Sequence, residues 1–206
     1  RDWSSDVCSS DLAATHGRSL WILDDTTPIA EWTAEATSAD AHLFSIQPAT
    51  FRNFWKNTSY RGQESWAGEN PPFGALLHYH LTEPVDSVEL VVRSPEGDVV
   101  RRLDGPATTD QIHRVTWDLA HSPPPTEEDE EGDGRDGVVQ PDTLLPEIEY
   151  PLDMKGPFVR PGTYTVTLKA GGIEETESVD VRSDPAIDLT AQQWREREAF
   201  LLDVLD

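Results

Sequence analysis

Residues 75–81 read ALLHYHL, and residues 88–103 read VELVVRSPEGDVVRRL. In the first stretch Ala75, Leu77, Tyr79 and Leu81 alternate with Leu76, His78 and His80. In the second, Val88, Leu90 and Val92 alternate with Glu89, Val91 and Arg93. A period of two puts each set on one face of an extended chain, the signature of a half-buried strand. Ser94-Pro95-Glu96-Gly97-Asp98 then supplies turn residues, so Val88–Leu103 predicts a hairpin.

The same pattern extends outward. Val115, Trp117 and Leu119 alternate with Arg114, Thr116 and Asp118. Pro161-Gly162 opens Thr163-Tyr164-Thr165-Val166-Thr167-Leu168, and Ala170-Gly171-Gly172 turns the chain into Ile173 to Val181. Six or seven short strands with Gly and Pro punctuation predict an all-β, Ig/fibronectin-III-like antiparallel sandwich over 74–183, with Trp117 at the centre of its core. Leu20-Trp21-Ile22-Leu23, between a Gly and two Asp, predicts one more strand before it, with Asp24-Asp25 ending it and capping the next turn.

Residues 26–73 lack sustained periodicity but hold Trp32, Phe44, Phe51, Phe54, Trp55, Tyr60 and Trp66. Disordered segments are poor in aromatics, so this stretch reads as a long ordered loop that packs its rings on a neighbour. The insertion 122–137 (SPPPTEEDEEGDGRDG) is Pro-rich, then acidic, then Gly-rich, and predicts a solvated disordered loop; 138–160 reads as a Pro-broken strap across one end of the sandwich. Beyond residue 184 the pattern turns helical. Thr190 and Gln193 fit a capping box, and Trp194, Leu201 and Leu205 recur at helical spacing, so the helix is expected to run on through Asp206.

The opening residues, RDWSSDVCSSDL, are similar to one reading frame of a sequencing adapter. The expectation is that 1–12 are an artefact outside the fold, and that the natural chain extends further in both directions. The only cysteine, Cys8, lies within them. The remaining 194 of the 206 residues then hold no thiol for a disulfide, a metal or a nucleophile. The chain carries 39 acidic and 16 basic residues, a formal charge of -23. Such a surface repels phosphate backbones and anionic lipid, which argues against a nucleic acid partner. Scarce Lys (three, against 13 Arg) suits a salty habitat or, equally, a genome that prefers Arg codons. No apolar run approaches the roughly 18 residues that a membrane span needs.

The candidate chemistry is thin. His78 and His80 share a strand face, but no third ligand is placed beside them, and a solvent-facing pair is the reading adopted. Asp129, Glu131 and Asp133 occupy positions 1, 3 and 5 of a calcium-loop register, yet Gln140 stands where the closing Glu belongs. They remain a weak calcium candidate beside the solvated-loop reading. Asn57-Thr58-Ser59 matches a glycosylation sequon. No catalytic residue, cofactor site or metal site is assigned within the chain.

Several motifs in one order point to a family. His16-Gly17-Arg18-Ser19-Leu20-Trp21-Ile22-Leu23-Asp24-Asp25 resembles the last blade strand of bacterial BNR-repeat, sortilin-like seven-bladed propellers, proteins often labelled glycosyl hydrolases. Gly68–Ala75, His113–Leu119, Val159–Val166 and Ser183-Asp184-Pro185 resemble that family's entry into an Ig-like domain, two of its strands and its exit to helices. The resemblance spans nearly all of 16–206. The Asp box that marks the family's blades does not occur here. The resemblance implies a last propeller strand over 13–25, a docking loop over 26–73 and the start of a helical tail over 184–206. It implies Trp21, Phe54, Trp55 and Trp66 as docking residues against an upstream propeller, and an exported parent protein. The expected function is a non-catalytic accessory region that braces the propeller or presents a surface to a protein or polysaccharide. The alternatives are a piece of a glycosidase- or peptidase-like hydrolase whose site lies on the upstream propeller, and a carbohydrate-binding module.

Overall fold

The alternating stretches become strands whose inward faces are the apolar ones. The computed structural model describes residues 11–15, 19–51, 72–109, 111–123 and 156–204. The strands are β1 (Asp11–Thr15), β2 (Ser19–Leu23), β3 (Ala41–Leu43), β4 (Ala49–Thr50), β5 (Ala75–Leu81), β6 (Val88–Arg93), β7 (Val99–Gly105), β8 (Ile112–Trp117), β9 (Gly162–Ala170) and β10 (Ile173–Arg182). Helices are short: α1 (Thr27–Ala30), α2 (Ala34–Ser38) and, after the last strand, α3 (Ala191–Asp203). The class is all-β.

Two sheets share the core. One has the order β4-β10-β9-β6-β7, the other β3-β5-β8, and among the described residues β1 and β2 pair only with each other. Among the described residues the ladders are antiparallel except β4 with β10, where Val181 lies opposite Ala49. Leu77, Tyr79, Leu81 and Trp117 of one sheet meet Leu90, Val92, Tyr164, Val166 and Leu168 of the other in a single apolar cluster. Trp117 is its largest fully buried side chain, its ring 5.3 Å from that of Tyr164 and its Nε1 donating to the Ala120 carbonyl at 3.0 Å. The buried phenols are satisfied, Tyr79 by the Pro106 carbonyl at 2.6 Å and Tyr164 by the Arg160 carbonyl at 2.8 Å. Burial raises both phenol pKa values, that of Tyr79 to about 12.

Glycine is required where the main chain comes close to a neighbour or turns left-handed. Gly74 has φ +123°, and a Cβ there would fall 2.1 Å from the Trp117 carbonyl oxygen. Gly171 and Gly172, at φ +56° and +88°, close the β9–β10 hairpin in the left-handed geometry that matches strand twist.

Several expectations are corrected. The stretch 26–51 is not one loop: it holds α1 and α2 and gives β3 to one sheet and β4 to the other. These strands are only three and two residues long, too short for a period of two to register. The two-sheet unit therefore begins before residue 74, and its ladders are not all antiparallel. The strand expected over 13–25 is a hairpin, and β1 starts at Asp11, inside the adapter-like stretch, because ladder bonds are made by the main chain whatever the side chains. The C-terminal helix stops at Asp203, with Val204 as its cap, rather than continuing. Residues 205–206 and the acidic insertion from 124 lie outside the described residues.

Candidate functional site

The polar chemistry of the described residues concentrates at two buried carboxylates. Each fastens a flanking segment to the two-sheet body.

The first is Asp25, just past β2. Its Oδ1 accepts the Thr27 amide at 2.9 Å, the turn cap expected from Asp24-Asp25. Its Oδ2 faces His78 Nδ1 of β5 at 3.3 Å. Burial pushes the Asp25 carboxyl upward, but His78 and Thr27 outweigh it and hold the pKa below the ordinary value. Around this contact the N-terminal segment lies along the outer face of β3-β5-β8. Thr27 accepts from Gln47 Nε2 at 2.7 Å, and Glu31 accepts the Ser45 amide at 3.0 Å. The Trp32 ring meets His80 edge-on at 4.9 Å and stacks over Phe44 at 6.1 Å.

His78 and His80 thus do share a strand face. They are not solvent-facing: both are buried, because the segment from Asp25 to Phe44 covers the sheet there. His42 is the cross-strand neighbour of His80, and its Nδ1 lies 3.5 Å from Glu175, whose Oε2 also accepts the Leu43 amide at 2.7 Å. That carboxylate occupies an edge amide that would otherwise invite another strand.

The second carboxylate is Glu198 on α3, 8% exposed. Its Oε1 accepts from the Arg160 amide at 3.1 Å and lies 3.0 Å from His121 Nε2, and its Oε2 accepts from Arg160 Nη1 at 3.1 Å. Burial raises its pKa, but His121 and Arg160 together bring it below the ordinary value. Arg160 is held from behind. Its Nη2 donates to Glu96 in the β6–β7 turn, and its carbonyl accepts from Tyr164. Arg101 Nη1 donates to the His121 carbonyl at 3.0 Å. A cleft of about 250 Å³ opens beside this network between Arg160, Ser183, Leu189, Trp194 and Arg195. That is smaller than the 300–1,000 Å³ typical of small-molecule sites.

This second network was not singled out from the sequence. A signal was present: Glu198 falls one turn after Trp194 and before Leu201, so a charged residue interrupts the apolar stripe of the helix. Its partners, 77 and 38 residues away along the chain, carried none. Of the anticipated docking residues, Trp21 lies in β2 with its backbone opposite Ala13. Phe54, Trp55 and Trp66 lie outside the described residues, as do the sequon and the calcium candidates Asp129, Glu131 and Asp133. Of the aromatics of that stretch which are described, Phe44 is buried, Phe51 and Phe73 form a half-buried cluster with Phe158 at ring separations of 4.7 to 6.0 Å, and Trp32 is 43% exposed. Among the described residues no three His, Cys, Asp or Glu side chains stand together as metal ligands, and no helix is long and apolar enough to cross a membrane.

Comparison with known protein families, with curated proteins and with solved structures found no match.

Proposed function

We propose that this chain is a non-catalytic accessory region, an Ig/fibronectin-III-like sandwich that holds flanking elements in place and braces a neighbouring domain. The strand order supports the fold reading. If β5, β6, β8, β9 and β10 are labelled B, C, E, F and G, one sheet reads A-B-E and the other A′-G-F-C-C′, with A′ parallel to G. Tyr164, near the start of the F-like strand, bonds back to the carbonyl four residues upstream, the arrangement of a tyrosine corner.

The observation that carries the functional reading is the use of the two buried carboxylates. Asp25 joins its segment to the body through His78, and Glu198 joins α3 to it through His121 and the main-chain amide and guanidinium of Arg160. The resemblance to sortilin-like propellers names the neighbour: a propeller upstream of the sandwich, in an exported protein. In that longer protein, Trp55→Ala or Trp66→Ala is expected to lower the melting temperature and speed proteolysis between the domains. Unchanged melting and unchanged cleavage would remove the bracing role.

A further inference from the structure

Only two side chains of α3 are buried, Trp194 and Glu198, one helical turn apart. The other large apolar groups continue the contact only weakly: Leu201 and Leu202 are half-buried, and Phe200 is 65% exposed. A helix docked by packing alone shows an unbroken apolar stripe. Here the second anchor is a carboxylate.

The pocket that receives this carboxylate belongs wholly to the body. The Arg160 amide, Arg160 Nη1 and His121 Nε2 converge on the two oxygens of Glu198. Glu96, Tyr164 and Arg101 fix Arg160 and His121 from the far side. None of these supports comes from α3. The helix that fills it carries Arg195 and Arg197 beside Glu198, which offsets the repulsion a bare acidic helix would meet on a chain of charge -23.

We propose that this pocket is a receptor for the carboxylate of a helix, that α3 is its ligand in cis, and that a partner's helix can take its place. The fitting partner presents a Trp and a Glu one turn apart, flanked by basic side chains. In the intact chain α3 competes at the millimolar effective concentration of a short tether, so a ligand in trans is held off until α3 is loosened.

The probe is a fluorescent peptide of residues 190–204, titrated by anisotropy into the full chain. It is expected to bind the Glu198→Gln chain at least tenfold more tightly than the unaltered chain. A second chain, Trp194→Ala, loosens the helix through its apolar anchor and is expected to behave likewise. The same peptide carrying Glu198→Gln should lose at least tenfold in affinity for both. Amide exchange in β9 and β10 establishes that each variant chain is folded; if one is not, the other decides. Failure of the peptide to bind a folded, loosened chain overturns the proposal. Equal binding of the two peptides overturns it as well, since the carboxylate would then contribute nothing.

Discussion

At the scale of the residue, the two buried carboxylates set how the molecule responds to acid. Asp25 and Glu198 both have pKa values held below the ordinary ones, so the unfolded chain binds more protons than the folded one across the carboxylate range. Their contribution to stability is complete above about pH 5 and is lost as pH falls through their depressed values. Melting temperatures recorded from pH 7 down to 3 should therefore fall steeply below about pH 4.5, where ordinary carboxylates begin to titrate. An Asp25→Asn, Glu198→Gln double variant should start lower and fall less. A parallel pair of curves would mean that neither group is linked to folding. Tyr164 gives a second test at this scale. The Tyr164→Phe change keeps the ring in the core but leaves the Arg160 carbonyl without its donor, at a cost of about 1–3 kcal/mol in urea unfolding.

At the scale of the element, the sheets depend on close main-chain approaches as much as on side-chain pattern. β5 begins beside the carbonyl of Trp117, and Gly74 is the residue that allows it. Gly74→Ala meets both the positive φ and the clash, and is expected to cost more than about 1 kcal/mol in urea unfolding, well beyond the usual Gly-to-Ala effect. The longer elements were legible in the sequence because they repeat one local rule. Leu77, Tyr79, Val166 and Leu168 face inward as their alternation requires, and the Thr190–Gln193 capping box forms as written. The short ones were not. α1, α2, β3 and β4 hold five residues or fewer apiece, and they exist because the body offers edges and a face for them to cover. Hence His78 and His80, polar residues on the outward positions of β5, end up buried.

At the scale of the whole molecule, like charge opposes the compact state. A net -23 over 206 residues repels itself, and dissolved salt screens charges beyond about 10 Å at 0.1 M. Raising sodium chloride from about 0.02 to 0.5 M should therefore raise the melting temperature by several degrees, since the Debye length shrinks several-fold over that range. A drop instead would place the balance with exposed ion pairs such as Arg102–Glu89 and Lys169–Glu174, which salt weakens. By itself the sequence determined the all-β class, the long strands, the hairpin turns, the place of Trp117 in the core and the cap of the last helix. Each of these follows from residues a few positions apart. Only the tertiary structure decided which strands share a sheet, that residues 41–50 join both sheets, and that Asp25 meets His78 while Glu198 meets His121 and Arg160. Those partners lie tens of residues apart, and their pairing depends on where the packed sheets carry them, which no local pattern encodes.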